Sequence, residues 1–260
     1  MSIITLTSDW STSDFYVGAI KGKILSQCKE STIVDISHNI QAFNTAQAAF
    51  ILRNAYPNFP QGTIHLIFIN TEPSPTRPFL VVKANGHYFI GADNGIFSLV
   101  SGEHAEKIVK INIDNAKSFS ALDVFTDAAC KLTDGANIEE LGDPVPSFNL
   151  RIPLRPTIED TTLTGSVIYI DSYQNVVTNI TKELFDKVSQ DRGFEIFVQS
   201  KHYKVNSISN FYQEVPVGEL IALFNSVGLL EIAINNGNAA RLLNLDTNST
   251  VRVEFKDRKK

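Results

Sequence analysis

The run Thr63-Ile64-His65-Leu66-Ile67-Phe68-Ile69 has almost no polar face, and this limits the fold more than any other stretch of the chain. A strand that is apolar on both sides must be covered on both sides, which is the situation of a central strand in an α/β sheet. The surrounding sequence agrees. Ile3 to Thr7 and Thr32 to Asp35 read as strands, and Pro60-Gln61-Gly62 supplies the turn before the central one. Asp14 is placed to cap a helix with Val17, Ile20, Ile24 and Leu25 on one face, and Gly22 within it suggests close packing. A second helix is predicted from about Thr45 to Ala55 and a last one from about Leu122 to Leu132. Phe79 to Lys83 and His87 to Ile90 flank Ala84-Asn85-Gly86, a hairpin signal. The expectation is an N-terminal α/β domain, residues 1–142, around a mostly parallel sheet.

From Asp143 to Thr162 the texture changes to prolines among polar residues, which marks 143–162 as a linker. Beyond it, strand follows strand with little helix: Val167 to Ile170, Val176 to Ile180, Phe194 to Val198, Tyr203 to Val205, Leu220 to Phe224, Leu229 to Ile234 and Val251 to Phe255. This density predicts an all-β, barrel-like domain over 163–260.

With 43% hydrophobic residues in 260, the chain can fill such cores. The 23 basic against 28 acidic residues give a net charge of -5, so no nucleic-acid partner is expected; the one basic run is Lys256-Asp257-Arg258-Lys259-Lys260. No apolar run approaches the ~18 residues of a membrane span, and Met1 to Thr7 lacks a positive flank, so no membrane partner is expected. Cys28 and Cys130 show no paired spacing and read as small buried hydrophobes in a reducing, cytoplasmic setting. The histidines His38, His65, His87, His104 and His202 have no metal-ligand spacing, so no metal site is expected.

Polar clusters fall where strands end, the edge at which open α/β sheets bind ligands. Ser8-Asp9-Trp10-Ser11-Thr12-Ser13-Asp14 follows the first strand; Asp9 there can accept ribose hydroxyls or act as an ordinary cap. Asn70 to Arg77 follows the central strand, with Arg77 in an ion pair or a ligand site. Ala92-Asp93-Asn94-Gly95 and Asp171-Ser172-Tyr173-Gln174-Asn175 are turns or binding motifs, and the amides of Asn235-Asn236-Gly237-Asn238 face the same choice.

Taken in order, these clusters resemble one family. Ile4-Thr5-Leu6-Thr7-Ser8-Asp9 with Asp14 and Tyr16-Val17-Gly18, Val34-Asp35-Ile36-Ser37-His38, Phe59-Pro60-Gln61-Gly62-Thr63, Ala92-Asp93-Asn94-Gly95, the Asp171 to Asn175 run, and Asn225 to Ala233 followed by Asn238-Ala239-Ala240 are similar to motifs of the S-adenosylmethionine hydroxide adenosyltransferases, relatives of the fluorinating and chlorinating enzymes. The resemblance implies a homotrimer with the ligand at the subunit interface, S-adenosylmethionine or adenosine as that ligand, and no cofactor besides. By position, Asp9 would hold the ribose hydroxyls, and Asp14 and Asn94 would fall in the substrate cradle. Phe43 would pack on the ligand and Phe211 would flank the adenine. Asp171 and Asn175 would hold the methionine moiety beside Tyr173, and Asn235 would present groups to adenine. The halogenating relatives carry an insertion for which Lys83-Ala84-Asn85-Gly86-His87 leaves no room, which disfavours halide transfer.

The reaction the resemblance implies is attack of water or hydroxide on the 5′-carbon of S-adenosylmethionine. Methionine leaves as a neutral thioether, so no acid is needed, and the catalyst's task is to position and deprotonate water. The hydrolytic family uses Asp, Arg and His for this. Arg77 stands in place, but Asn70 occupies the Asp position and Ser120 the His position. An amide and a hydroxyl orient water without being bases at neutral pH. Glu72 is the nearest carboxylate in sequence that could replace one. Two readings follow: a hydrolase attenuated at two positions, or a non-catalytic binder of S-adenosylmethionine or adenosine.

Overall fold

The computed structural model describes residues 2–102, 105–113 and 120–256; His104, Ser118, Phe119 and the Asp257 to Lys260 end of the basic run lie outside the described residues, as does the side chain of His202. The chain divides into two compact units, Met1–Ile152 and Pro153–Lys260.

In the first unit the order is β1 (Ile3–Ser8), α1 (Tyr16–Gln27), β2 (Thr32–Ser37), α2 (Thr45–Ala55), β3 (Ile64–Phe68), β4 (Phe79–Ala84), β5 (His87–Ala92), α3 (Ile96–Ser101), β6 (Lys107–Ile111), α4 (Ala121–Thr133) and β7 (Gly142–Pro144). The seven strands form one sheet in the order β2-β1-β3-β5-β4-β6-β7. The first four of that order are mutually parallel, and β4, β6 and β7 extend the sheet antiparallel. The central strand is covered as its sequence demands. Leu66 and Phe68 pack with Ile20 and Ile24 of α1 and Phe125 of α4 on one face. Ile67 and Ile69 pack with Leu52 of α2 and Phe97 of α3 on the other. The β4–β5 turn is Asn85-Gly86, both with positive φ (52° and 76°), the backbone an Asn-Gly hairpin provides without strain.

Three expectations are corrected here. Asp14 does not cap α1: it is exposed, and the N-cap position belongs to Phe15, whose side chain makes no capping bond. Gly22 is exposed, and a Cβ built there would meet nothing within 4 Å, so no close packing calls for a glycine. Cys28 and Cys130, 102 positions apart, are joined in a disulfide with Cα atoms 5.4 Å apart, which ties the end of α1 to α4. Spacing along the chain carries no signal for two cysteines that the sheet brings together by stacking two helices on one face. The joined pair also removes the ground on which a reducing compartment was expected.

The second unit runs β8 (Thr157–Glu159), β9 (Thr162–Ile170), β10 (Val176–Thr181), α5 (Lys182–Ser189), β11 (Phe194–Val198), β12 (Ser200–Val205), β13 (Leu220–Phe224), β14 (Leu229–Ile234), α6 (Ala239–Leu242) and β15 (Thr250–Phe255). Its strands pair antiparallel in the order β12-β11-β15-β9-β10-β14-β13, with β8 beside β9. A bridge between Ser209 and Leu223 brings the segment after β12 alongside β13 and nearly closes the barrel. Val167, Ile180, Ile196, Leu230 and Val253 fill its interior. Helix α5, an element the strand-rich expectation does not place, is capped by Thr181, whose hydroxyl accepts the Leu184 N–H at 3.1 Å.

The amino ends of β3 and β5 enclose a buried histidine pair. His65 Nδ1 lies 2.7 Å from the Thr5 hydroxyl and its Nε2 3.2 Å from His87 Nδ1. Burial, and then the neighbouring His87, push the His65 pKa down to about 3; burial also lowers that of His87. The folded state therefore resists a proton that the unfolded chain takes up near pH 6.5. The contribution of His65 to stability is complete above pH 6.5 and falls as the pH drops from there toward 3, by about 1.4 kcal/mol per pH unit. Urea midpoints measured across this range should show the slope. The variant His65→Leu should flatten it, and an unchanged slope in that variant would assign the acid loss elsewhere.

Candidate active site

Because β1, β2, β3 and β5 are parallel, their carboxyl ends meet at one edge of the sheet, and the polar clusters of the first unit sit there. Asp9 follows β1 directly; its backbone N–H reaches the Phe68 carbonyl at 3.3 Å, and its Oδ2 accepts the Phe43 N–H at 2.8 Å. Phe43 takes a positive φ of 64°, a conformation uncommon for a bulky residue, and its ring is 72% exposed. The Asp9 carboxylate thus fixes a loop that turns an aromatic ring outward, and its other oxygen accepts no described hydrogen bond. Beside it, Trp10 packs on Phe68 with ring centroids 4.6 Å apart.

Beneath Asp9, Ser8 Oγ lies 2.7 Å from His38 Nδ1, and His38 Nε2 lies 3.2 Å from Asp35 Oδ1, off the line of a hydrogen bond. The order Ser-His-Asp invites comparison with a nucleophilic triad, but Ser8 is fully buried. Its bond to His38 pins the end of β1.

Asn70 also has a positive φ, 48°, which asparagine tolerates better than most residues. The loop from Asn70 returns to β4 through a backbone bridge between Ser74 and Arg77 (3.0 and 3.2 Å). Among the described residues the Arg77 guanidinium has no hydrogen-bond or ion-pair partner, so the structural ion pair that the sequence left open is not made there. Glu72 is exposed. Ser120 is the residue before α4; its Oγ is buried, makes no capping bond and has no hydrogen-bond partner among the described residues. It lines a cavity of about 360 Å³ with Asn112, Asp123 and Asp127. Asn112 also lines a second cavity, of about 540 Å³, that reaches Pro73 and Ser74 of the Arg77 loop.

Asn94 is used at home: its Nδ2 donates to the Ile69 carbonyl at 2.7 Å, and its Oδ1 accepts the Ile96 N–H at the start of α3. Asp93, in the same turn, acts through its side chain, which the turn motif does not reveal. Both its oxygens accept the Asn149 N–H (2.9 and 3.0 Å), and the Asn149 amide bonds the Asp93 and Thr76 carbonyls. Burial pushes the Asp93 pKa up against that backbone hydrogen bond. This clamp holds the Arg77 loop to the end of β5.

In the second unit the Asp171 to Asn175 run is the β9–β10 hairpin. Asp171 Oδ1 accepts the Asn175 N–H at 2.8 Å and Oδ2 its side-chain amide at 3.1 Å, while Tyr173 at the tip is 75% exposed. Asn235 is buried, and its Nδ2 gives one of its two N–H groups to the Val215 carbonyl at 2.8 Å. Phe211 is 69% exposed at the head of the turn Tyr212–Glu214. Glu231 on β14, a lone acid in the run Leu229-Leu230-Glu231-Ile232-Ala233-Ile234, accepts from the Tyr212 hydroxyl at 2.6 Å and the Asn225 amide at 3.2 Å. Burial first, and the Asp171 charge in addition, push its pKa up against those two bonds. Burial likewise raises the Tyr212 pKa, helped by Glu231 and Asp171. Among the described residues no group of three or more His, Cys, Asp or Glu is placed to hold a metal ion, and no helix is long and apolar enough to cross a membrane.

Comparison with known proteins points to one family. The SAM hydroxide adenosyltransferase N-terminal domain matches residues 4–142, and the C-terminal domain of the same family matches residues 165–252. A protein of Methanocaldococcus jannaschii named (R)-S-adenosyl-L-methionine hydrolase is 32% identical, with 95% of this chain and 93% of that protein covered. A fluorinase of Actinopolyspora mzabensis is 22% identical, with 96% of each chain covered. The crystal structure of an uncharacterized conserved protein from Thermotoga maritima superposes with a TM-score of 0.85 at 28% identity, covering 96% of this chain and 99% of that one. With both domains matched in order, and relatives aligned along nearly their full length, this chain belongs to the SAM hydroxide adenosyltransferase family.

Proposed function

We propose that the chain hydrolyses S-adenosylmethionine to adenosine and methionine. The water oxygen bonds to C5′ as the C5′–sulfur bond breaks, the bonding pair passes to sulfur to give the neutral thioether of methionine, and the water proton is released to solvent. Asp9 accepts the ribose hydroxyls, Phe43 packs on the nucleoside and Phe211 stacks on the adenine. Asp171 and Asn175 receive the ammonium and carboxylate of the methionine moiety. Arg77 donates to the attacking oxygen and, with the Asn70 amide and the Ser120 hydroxyl, holds it in line with the bond that breaks. The reading extends to a homotrimer with the ligand at the subunit interface, in line with the exposed rings of Phe43, Tyr173 and Phe211.

The observation that carries this reading is the Arg77 guanidinium, held on a clamped loop at the ligand edge of the sheet with no partner among the described residues. A second reading, a binder without turnover, is favoured by one observation: neither Asn70 nor Ser120 is a base. Incubation with S-adenosylmethionine in both sulfonium forms, followed by chromatography, separates the two; the relatives' name specifies the (R) form. Adenosine above the enzyme-free rate is expected. None above that rate, with calorimetric binding retained, would leave the binder, and loss of both would overturn the two readings together.

A further inference from the structure

Phe211 presents an apolar ring to solvent, yet the structure holds the backbone that carries it from two sides. Glu214 Oε1 accepts the backbone N–H groups of Asn210 and Phe211 at 3.1 and 3.2 Å, which closes the turn on itself. The next residue, Tyr212, sends its hydroxyl 2.6 Å to Glu231, a buried carboxylate on β14 whose second oxygen accepts the Asn225 amide. Behind the turn, the Ser209 N–H donates to the Ala222 carbonyl at 2.8 Å. A buried carboxylate in an apolar strand is costly unless fully bonded, and here both bonds tie surface segments to the barrel wall. Nothing in the packing of the barrel requires the Phe211 ring to be fixed, since most of its surface is in water.

We infer that Glu231 and Tyr212 form a positioning pair that sets the Phe211 ring in advance for stacking on a purine base. This rests on the proposed role of Phe211 and adds to it the residues that make the platform rigid. Holding an aromatic ring before the ligand arrives removes the ordering cost from binding, so the pair acts on affinity and leaves the bond-breaking step alone.

The test uses the full chain, with adenosine affinity by calorimetry and steady-state kinetics on S-adenosylmethionine. Adenosine is uncharged, so loss of the Glu231 charge does not by itself change its affinity. Phe211→Ala is expected to weaken adenosine binding about 5- to 100-fold, the value of one base–aromatic stack. Tyr212→Phe and Glu231→Leu are expected to weaken it about 2- to 10-fold and raise KM in step, with kcat held within about twofold. Glu231→Gln keeps an acceptor for the Tyr212 hydroxyl but sets an N–H against the Asn225 amide, and is expected to weaken binding less than Glu231→Leu. Tyr212 is partly exposed, so its variant folds even if replacement of Glu231 disturbs the barrel. A normal Kd in Tyr212→Phe beside a weakened Phe211→Ala overturns the positioning role alone. A normal Kd in Phe211→Ala overturns the stacking platform and the pair with it, and a loss of kcat at constant KM assigns Tyr212 to the chemistry instead.

Discussion

A double variant carrying Asn70→Asp and Ser120→His is expected to form adenosine from S-adenosylmethionine about 10²- to 10⁴-fold faster than the wild type, the usual value of general-base assistance. That is roughly 2.7–5.5 kcal/mol off the barrier. Both substitutions suit their places. Asn70 sits at φ 48°, a conformation that aspartate adopts nearly as readily as asparagine, so the carboxylate enters on an unstrained backbone. Ser120 has a buried hydroxyl with no partner among the described residues, beside a cavity of about 360 Å³ that gives an imidazole room. Each single change should do less than the pair, because a base and the group that orients it act as a unit. An unchanged rate with S-adenosylmethionine still bound would mean that water is handled in this chain by other residues, with Glu72 the first to replace.

Reduction of the Cys28–Cys130 bond is expected to cost about 4.7 kcal/mol, the loop-closure value for a loop of ~100 residues, and to lower Tm by roughly 10–20 °C. The closed loop spans 102 positions and contains β2, β3, β4, β5 and β6, so an unfolded chain without the bond regains the freedom of most of the first unit. Thermal melts with and without dithiothreitol measure it, and a Cys28→Ala, Cys130→Ala variant should melt where the reduced protein does. A reductant that leaves Tm unmoved would show that the bond is not formed in solution.

The fold was legible wherever hydrophobic period decided it. The apolar run at β3 announced a strand covered on both faces, and Leu66 and Ile67 do face opposite cores. The barrel strands were readable from short β-rich runs, whereas α5 was hidden because eight amphipathic residues between strands resemble a turn region. Asp9 and Arg77 could be picked out because they follow strands, but the bonds that hold their loops could not. The Phe43 N–H, the Asn149 clamp and the Cys28–Cys130 bond join residues 34, 56 and 102 positions apart, and no local pattern records such meetings. Glu231 is the exception, since an acid inside an apolar strand signals a buried, bonded carboxylate.

The Asn149 clamp has a bearing on how the protein can be taken apart. A first-unit fragment ending at Gly142 would keep Asp9, Phe43, Asn70, Arg77, Asn94 and Ser120, yet lose the remainder of β7 and strip Phe148 from its place beside Phe97, where the ring centroids lie 6.0 Å apart. It would also leave the buried Asp93 carboxylate without its donor and free the Thr76 carbonyl next to Arg77. A fragment carried on to Ile152 retains all of these. Ten residues that resemble a tether are thus a working part of the half they leave, and the place to cut the chain lies after them.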